Sequence, residues 1–211
     1  INHGAQRIYA INITRYPLST SAVITGIKYF RGTMWMGIIG TLYNFPRRLM
    51  LFRLKRKGLT IGANFYCGAS VFIDATFCGL IKIGDDVTFA DRVCLLAHDA
   101  STKIHLNHTK IGRIDIGNRV FIGMGSIILP NVAIGDDVVI GAGSVITKDI
   151  PGRSLVSGNP AKVIGTIDDF ITRKQEEMRL YPCFGRQSSR SGFKLIVQEL
   201  NKTGKKQGYV Y

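Results

Sequence analysis

"IGNRVFIGMGSIILPNVAIGDDVVIGAGSVI", residues 116–146, keeps a beat of six. An apolar residue followed by glycine recurs at Ile116-Gly117, Ile122-Gly123, Ile134-Gly135 and Ile140-Gly141, with Ile128 and Ile146 in phase. Four residues after each apolar position stands Val or Ser: Val120, Ser126, Val132, Val138 and Ser144. A period of six fits neither the 3.6 of a helix nor the twofold alternation of a long strand. It fits short strands joined by tight turns, each strand sending an apolar side chain into a narrow core. Asp, Asn and Gly in "GDD", "GNR" and "GAG" suit turn backbones that visit left-handed conformations. Three strands then make one triangular turn of 18 residues, rising by one inter-strand spacing of about 4.8 Å. The result is a solenoid held by nearest-neighbour stacking.

Upstream the beat returns in two other phases: Ile61-Gly62, Cys67-Gly68, Ile73-Asp74, and then Ile83-Gly84, Phe89-Ala90, Leu95. Continuing from Leu95 would put corners at Ser101, Asn107 and Arg113, which do not fit, and the beat resumes only at Ile116. The stretch 97–115 therefore reads as a loop leaving the solenoid. A long loop on a regular scaffold usually serves function.

The charge is uneven. The net +14 comes from the ends, because residues 61–165 carry nine basic and nine acidic residues. Residues 1–60 hold ten Lys/Arg and no acid, and the first acid is Asp74. Basic ends suit an anionic membrane or a phosphorylated substrate. No zinc-finger, helix-turn-helix or aromatic RNA-binding pattern is present, so nucleic acid is not expected as a partner. No uncharged run exceeds 16 residues, short of the ~20 a span needs. "GTMWMGIIGTLYNFP" before "RRLMLFRLKRK" sets apolar and aromatic groups beside cations. Residues 28–57 are thus read as a peripheral contact with an anionic membrane, or as a helix packed on the domain with a solvated basic face. Cys67, Cys78, Cys94 and Cys183 have no metal-ligand spacing and read as reduced, small apolar core residues.

The run "VFIGMGSIILPNVAIGDDVVIGAGSVITKDIPGRSLVSGNPAKVIG" (120–165) is similar to the closing coils of the hexapeptide-repeat acyltransferases, among them galactoside and maltose O-acetyltransferases, serine acetyltransferases and xenobiotic acetyltransferases. The likeness covers roughly 61–165, about half the chain, and is far less specific for substrate than for fold. It implies a mainly β protein: a left-handed parallel β-helix, the hexapeptide-repeat solenoid, with α-helical N- and C-terminal extensions. The expected division is a basic, apolar extension over 1–58, a catalytic β-helix over 59–166 and a helical extension over 167–211. "DDFITRKQEEMRLY" reads as an amphipathic helix with Phe170, Ile171, Met178 and Tyr181 on its apolar side, and a short helix is expected over 193–200.

The resemblance also implies acetyl-CoA as co-substrate, no metal, a homotrimer, and a catalytic histidine at the start of the extruded loop. His98 in "LLAHDAS" holds that place, and imidazole suits a general base near neutral pH. Asp99 either orients His98 or caps its own turn. His105 and His108 read as loop or substrate-contact residues, and Asp74 either as a contact to the acceptor or as an ordinary turn Asp. Gly123, Gly125 and Gly141 would admit the cofactor arm closely, Ala142 would meet the pantetheine, and Thr147, Lys148 and Lys162 would lie near the nucleotide end. The leading expectation is an O-acetyltransferase acting on a sugar hydroxyl in cell-surface polysaccharide assembly, cytoplasmic, at the inner face of the membrane. Serine, an amino sugar or a xenobiotic is the alternative acceptor. A zinc enzyme using loop histidines and an inactive scaffold are the readings from other classes.

Overall fold

The computed structural model describes residues 47–184 and 190–210. The chain divides into two units, Ile1–Arg48 and Leu49–Tyr211, and the second holds the solenoid. Of the membrane contact expected over 28–57, residues 28–46 lie outside the described ones, as does all of the N-terminal extension before residue 47.

Three parallel sheets form the faces of a prism. The first stacks Thr60–Ile61, Ile81–Ile83, Ile114–Ile116 and Val132–Ile134. The second stacks Tyr66–Cys67, Thr88–Phe89, Phe121–Ile122, Val139–Ile140 and Ser154–Gly158, closed by the antiparallel strand Ala161–Thr166. The third stacks Phe72–Ile73, Cys94–Leu95, Ile127–Ile128 and Val145–Ile146. Registers follow the beat. Ile116, Ile122 and Ile128 pair with Ile134, Ile140 and Ile146, each 18 residues on.

Both marked positions of the hexapeptide point inward. Phe89, Leu95, Ile122, Ile128, Ile140 and Ile146 are fully buried, and so are Val93, four after Phe89, and Val138, four after Ile134. Ser126 and Ser144 occupy the same inward place, and each hydroxyl donates to the Gly141 carbonyl. That satisfies two groups that burial would otherwise penalise by about 1–3 kcal/mol each. Left-handed turn residues stand three after several of the apolar positions: Asn64, Asp86, Gly125, Asp137 and Gly143, as the turn composition predicts. Arg92, Arg119 and Arg153 also adopt positive φ there, which the composition did not foretell. Two of these arginines are tied in place by ion pairs, Arg119 with Asp137 and Arg153 with Asp168.

At one end a helix over residues 47–56 packs Met50, Leu51 and the buried Leu54 against the first coil. At the other, Thr166 caps the helix Ile167–Leu180 by accepting the Asp169 N–H. Only Ile167 of that helix is buried, so Ile171 and Met178 stay exposed. The last helix runs Arg190–Thr203, longer at both ends than the 193–200 expected. Cys67 and Cys78 are buried as expected, Cys94 is half-buried, and Cys183 is exposed rather than a core residue. No described helix is long and apolar enough to cross a membrane.

Candidate active site

The prism is irregular in two places, and both irregularities meet at one corner. Between the first and second coils Ile61 pairs with Ile83, 22 residues on instead of 18. The four extra residues follow Asp74 and include a tight turn at Cys78–Leu80. Between the second and third coils Leu95 pairs with Ile128, 33 residues on. The added stretch is a hairpin pairing His98–Asp99 with Lys110–Ile111, with a short helix, Lys103–Leu106, near its tip. The strand Ile114–Ile116 already belongs to the first face, so Asp115 sits in the ladder, not in the loop.

Asp74 lies where the two insertions touch. It is 2% exposed, and both carboxylate oxygens are engaged. Oδ1 accepts the N–H groups of Thr76 at 3.0 Å and Phe77 at 3.2 Å; Oδ2 accepts the Ala97 N–H at 3.2 Å. The remaining partner of Oδ2 is His98 Nδ1, at 2.5 Å. Burial pushes the Asp74 carboxyl up, but the hydrogen bonds from His98, Phe77 and Thr76 together outweigh it and hold the group below the usual carboxylate range. An ionised Asp74 can only accept, so the proton on this side of the imidazole belongs to Nδ1. In the neutral imidazole Nε2 then keeps its lone pair.

The Phe77 ring packs against the imidazole, centroids 5.3 Å apart and tilted by 50°. His98 is one-third exposed and opens onto a pocket of about 430 Å³. Leu96, Leu129 and Pro130 line it, with Thr147 and Lys110 at its polar parts.

The expected site residues separate accordingly. His98 and Thr147 share the pocket. Asp74, expected as a contact to the acceptor, is buried with both carboxylate oxygens engaged, one of them by His98. Asp99 lines the pocket too, yet its Oδ1 accepts the Ser101 N–H at 2.9 Å, the turn-capping alternative. His105 stands exposed on the loop helix, outside the pocket lining, and His108 is engaged with the Leu106 carbonyl. Lys148 and Lys162 do not line this pocket; Lys148 and Lys162 both stand exposed. Gly123 is a packing glycine, since a Cβ there would meet the Ala142 backbone nitrogen at 2.5 Å. Gly141 is close against Ser157, while Gly125 turns at φ +71° into open space. Sequence reading missed Asp74 as the hydrogen-bond partner of His98, and missed the Phe77 contact altogether. The signal was there in the count: four residues too many, directly after an Asp.

Residues 113–148 match the family model of the bacterial transferase hexapeptide, six repeats. The putative acetyltransferase YvoF of Bacillus subtilis is 31% identical over 148 residues, covering 70% of this chain and 77% of that protein. The chain belongs to the hexapeptide-repeat transferases. Protein CapG of Staphylococcus aureus is 50% identical over 98 residues, 44% of this chain and 57% of CapG. The galactoside O-acetyltransferase of Escherichia coli is 40% identical over 114 residues, 52% of this chain and 54% of that enzyme. This hexapeptide-repeat protein thus spans little more than half the length of those two relatives.

Proposed function

We propose that the protein is an acetyl-CoA-dependent O-acetyltransferase whose acceptor is a sugar hydroxyl, working by direct transfer with His98 as general base. The observation that carries the reading is the buried Asp74 carboxylate fixing His98 Nδ1, which leaves Nε2 as a free acceptor at the mouth of a half-apolar pocket. His98 takes the proton from the acceptor hydroxyl as its oxygen bonds to the thioester carbonyl carbon. The C–S bond breaks, and His98 returns the proton to the departing thiolate. Asp74 holds the imidazole in the right tautomer and stabilises the positive charge that it carries between the two proton transfers.

The pocket suits a thioester arm. Leu96, Leu129 and Pro130 supply apolar walls, Thr147 supplies a hydroxyl, and the exposed Lys148 and Lys162 would answer the phosphates. Cys94 is a poor rival as acyl carrier, because burial, with Asp74 adding to it, pushes its thiol up and away from the thiolate. The coils wind left-handed, three copies associate, and each cleft lies between neighbours. Work on cell-surface polysaccharide at the cytoplasmic face of the membrane completes the reading. The sugar assignment follows the galactoside O-acetyltransferase among the relatives.

The test is acceptor choice. Purified protein with acetyl-CoA is offered galactosides, glucosides, amino sugars and serine in parallel, and free thiol is followed. Release with a neutral glycoside above the acceptor-free rate is expected. Turnover with serine alone would move the protein to the other acceptor class.

A further inference from the structure

The helix over residues 47–56 has two unlike sides. Met50, Leu51 and Leu54, spaced at three and four, form the stripe packed on the first coil. At 100° per residue, Leu49, Phe52 and Arg56 fall on the opposite side. All three are exposed, Phe52 at 59%. Arg53 and Lys55 flank that line on either edge, and Lys57 follows at the helix end, each exposed. Among the described residues no ion pair involves these four cations, and the chain has no acidic residue before Asp74 to supply one locally.

An apolar ridge flanked by cations that form no ion pair among the described residues, on the outer side of a helix whose inner side is packed, matches a surface that is both anionic and apolar. We propose that the outer face of this helix docks on an anionic lipid bilayer, with Phe52 and Leu49 entering the headgroup boundary and Arg53, Lys55, Arg56 and Lys57 meeting lipid phosphates. A duplex nucleic acid backbone would use the cations but offers no apolar layer for Leu49 and Phe52 to enter. The solenoid, with nine charges of each sign over residues 61–165, adds no net charge of its own. This docking does not depend on the transferase reading.

The probe is a vesicle. The intact chain is mixed with vesicles of phosphatidylcholine alone, or with about one third phosphatidylglycerol, and bound protein is measured by flotation. Binding to the anionic vesicles only, released as salt approaches about 0.5 M, is expected. Phe52→Ser should weaken it roughly tenfold or more, through lost apolar burial. Arg53→Gln and Arg56→Gln should each weaken it about fivefold. These side chains are exposed, so the variants should melt with the wild type. Equal binding to both vesicle types would overturn the proposal, as would no binding to either. So would full retention by Phe52→Ser, or binding to duplex DNA that outcompetes the vesicles.

Discussion

Asp74 accepts four hydrogen bonds with two oxygens, and that count makes its replacement informative. In Asp74→Asn one oxygen becomes an NH₂. If the remaining oxygen keeps Thr76 and Phe77, the amide confronts the Ala97 N–H and can reach His98 only as a donor. The imidazole must then accept at Nδ1, which puts the proton on Nε2, the wrong tautomer for a base. Loss of turnover by about 10²-fold or more is expected, with the melting curve showing the protein folded. The pH dependence has a definite sign. A carboxyl whose folded pKa is lowered stabilises the fold above its ordinary value near 3.8 and ceases to do so as pH falls through the lower folded value. The part of the stability gap between wild type and Asp74→Asn that this carboxylate supplies should therefore be lost as pH falls below about 4. This residue also marks a limit of sequence reading. An Asp after an apolar corner is ordinary turn chemistry, and its partner lies 24 positions away, brought close only by two insertions meeting at one corner.

At the scale of the coil, the hexapeptide is a rule about where side chains can go, and its small positions are not alike. Gly123 faces the backbone of the neighbouring coil: a Cβ would sit 2.5 Å from the Ala142 nitrogen and 2.8 Å from its Cα, neither of which can swing aside. Gly125 adopts φ +71° with nothing within 4 Å, a place Asn can also take. Gly123→Ala should cost about 1–3 kcal/mol and Gly125→Asn about 1 kcal/mol or less, read by chemical denaturation. Gly and Asp at such corners were legible from spacing alone, as were Phe89, Ile122 and Ile140 as core residues. The arginines at positive φ were not. Their backbone is set by the coil, and Arg119 finds Asp137 one coil, 18 residues, later only after stacking.

Over the whole molecule, a solenoid has two open ends, and each must be closed without a further repeat. The helix over residues 47–56 covers the first coil, and the antiparallel return of Ala161–Thr166 against Ser154–Gly158 closes the last. The beat in the sequence revealed the prism but not these closures, because a cap follows no period. The same holds for the C-terminal helices, whose exposed Ile171, Phe193, Leu195 and Val197 show that amphipathic spacing does not by itself say what covers an apolar side. The extruded hairpin was legible as a break in phase; that it sets His98 beside Asp74 was not. The proposed chemistry rests on that imidazole being the base of an acyl transfer. The most direct measurement is thiol release from acetyl-CoA, in the presence of a glycoside acceptor, by wild type and His98→Ala side by side, with CoA binding measured on both. A base at His98 predicts a fall in kcat of about 10²- to 10⁴-fold with CoA affinity and melting temperature retained. Turnover by His98→Ala within a few fold of wild type would contradict it.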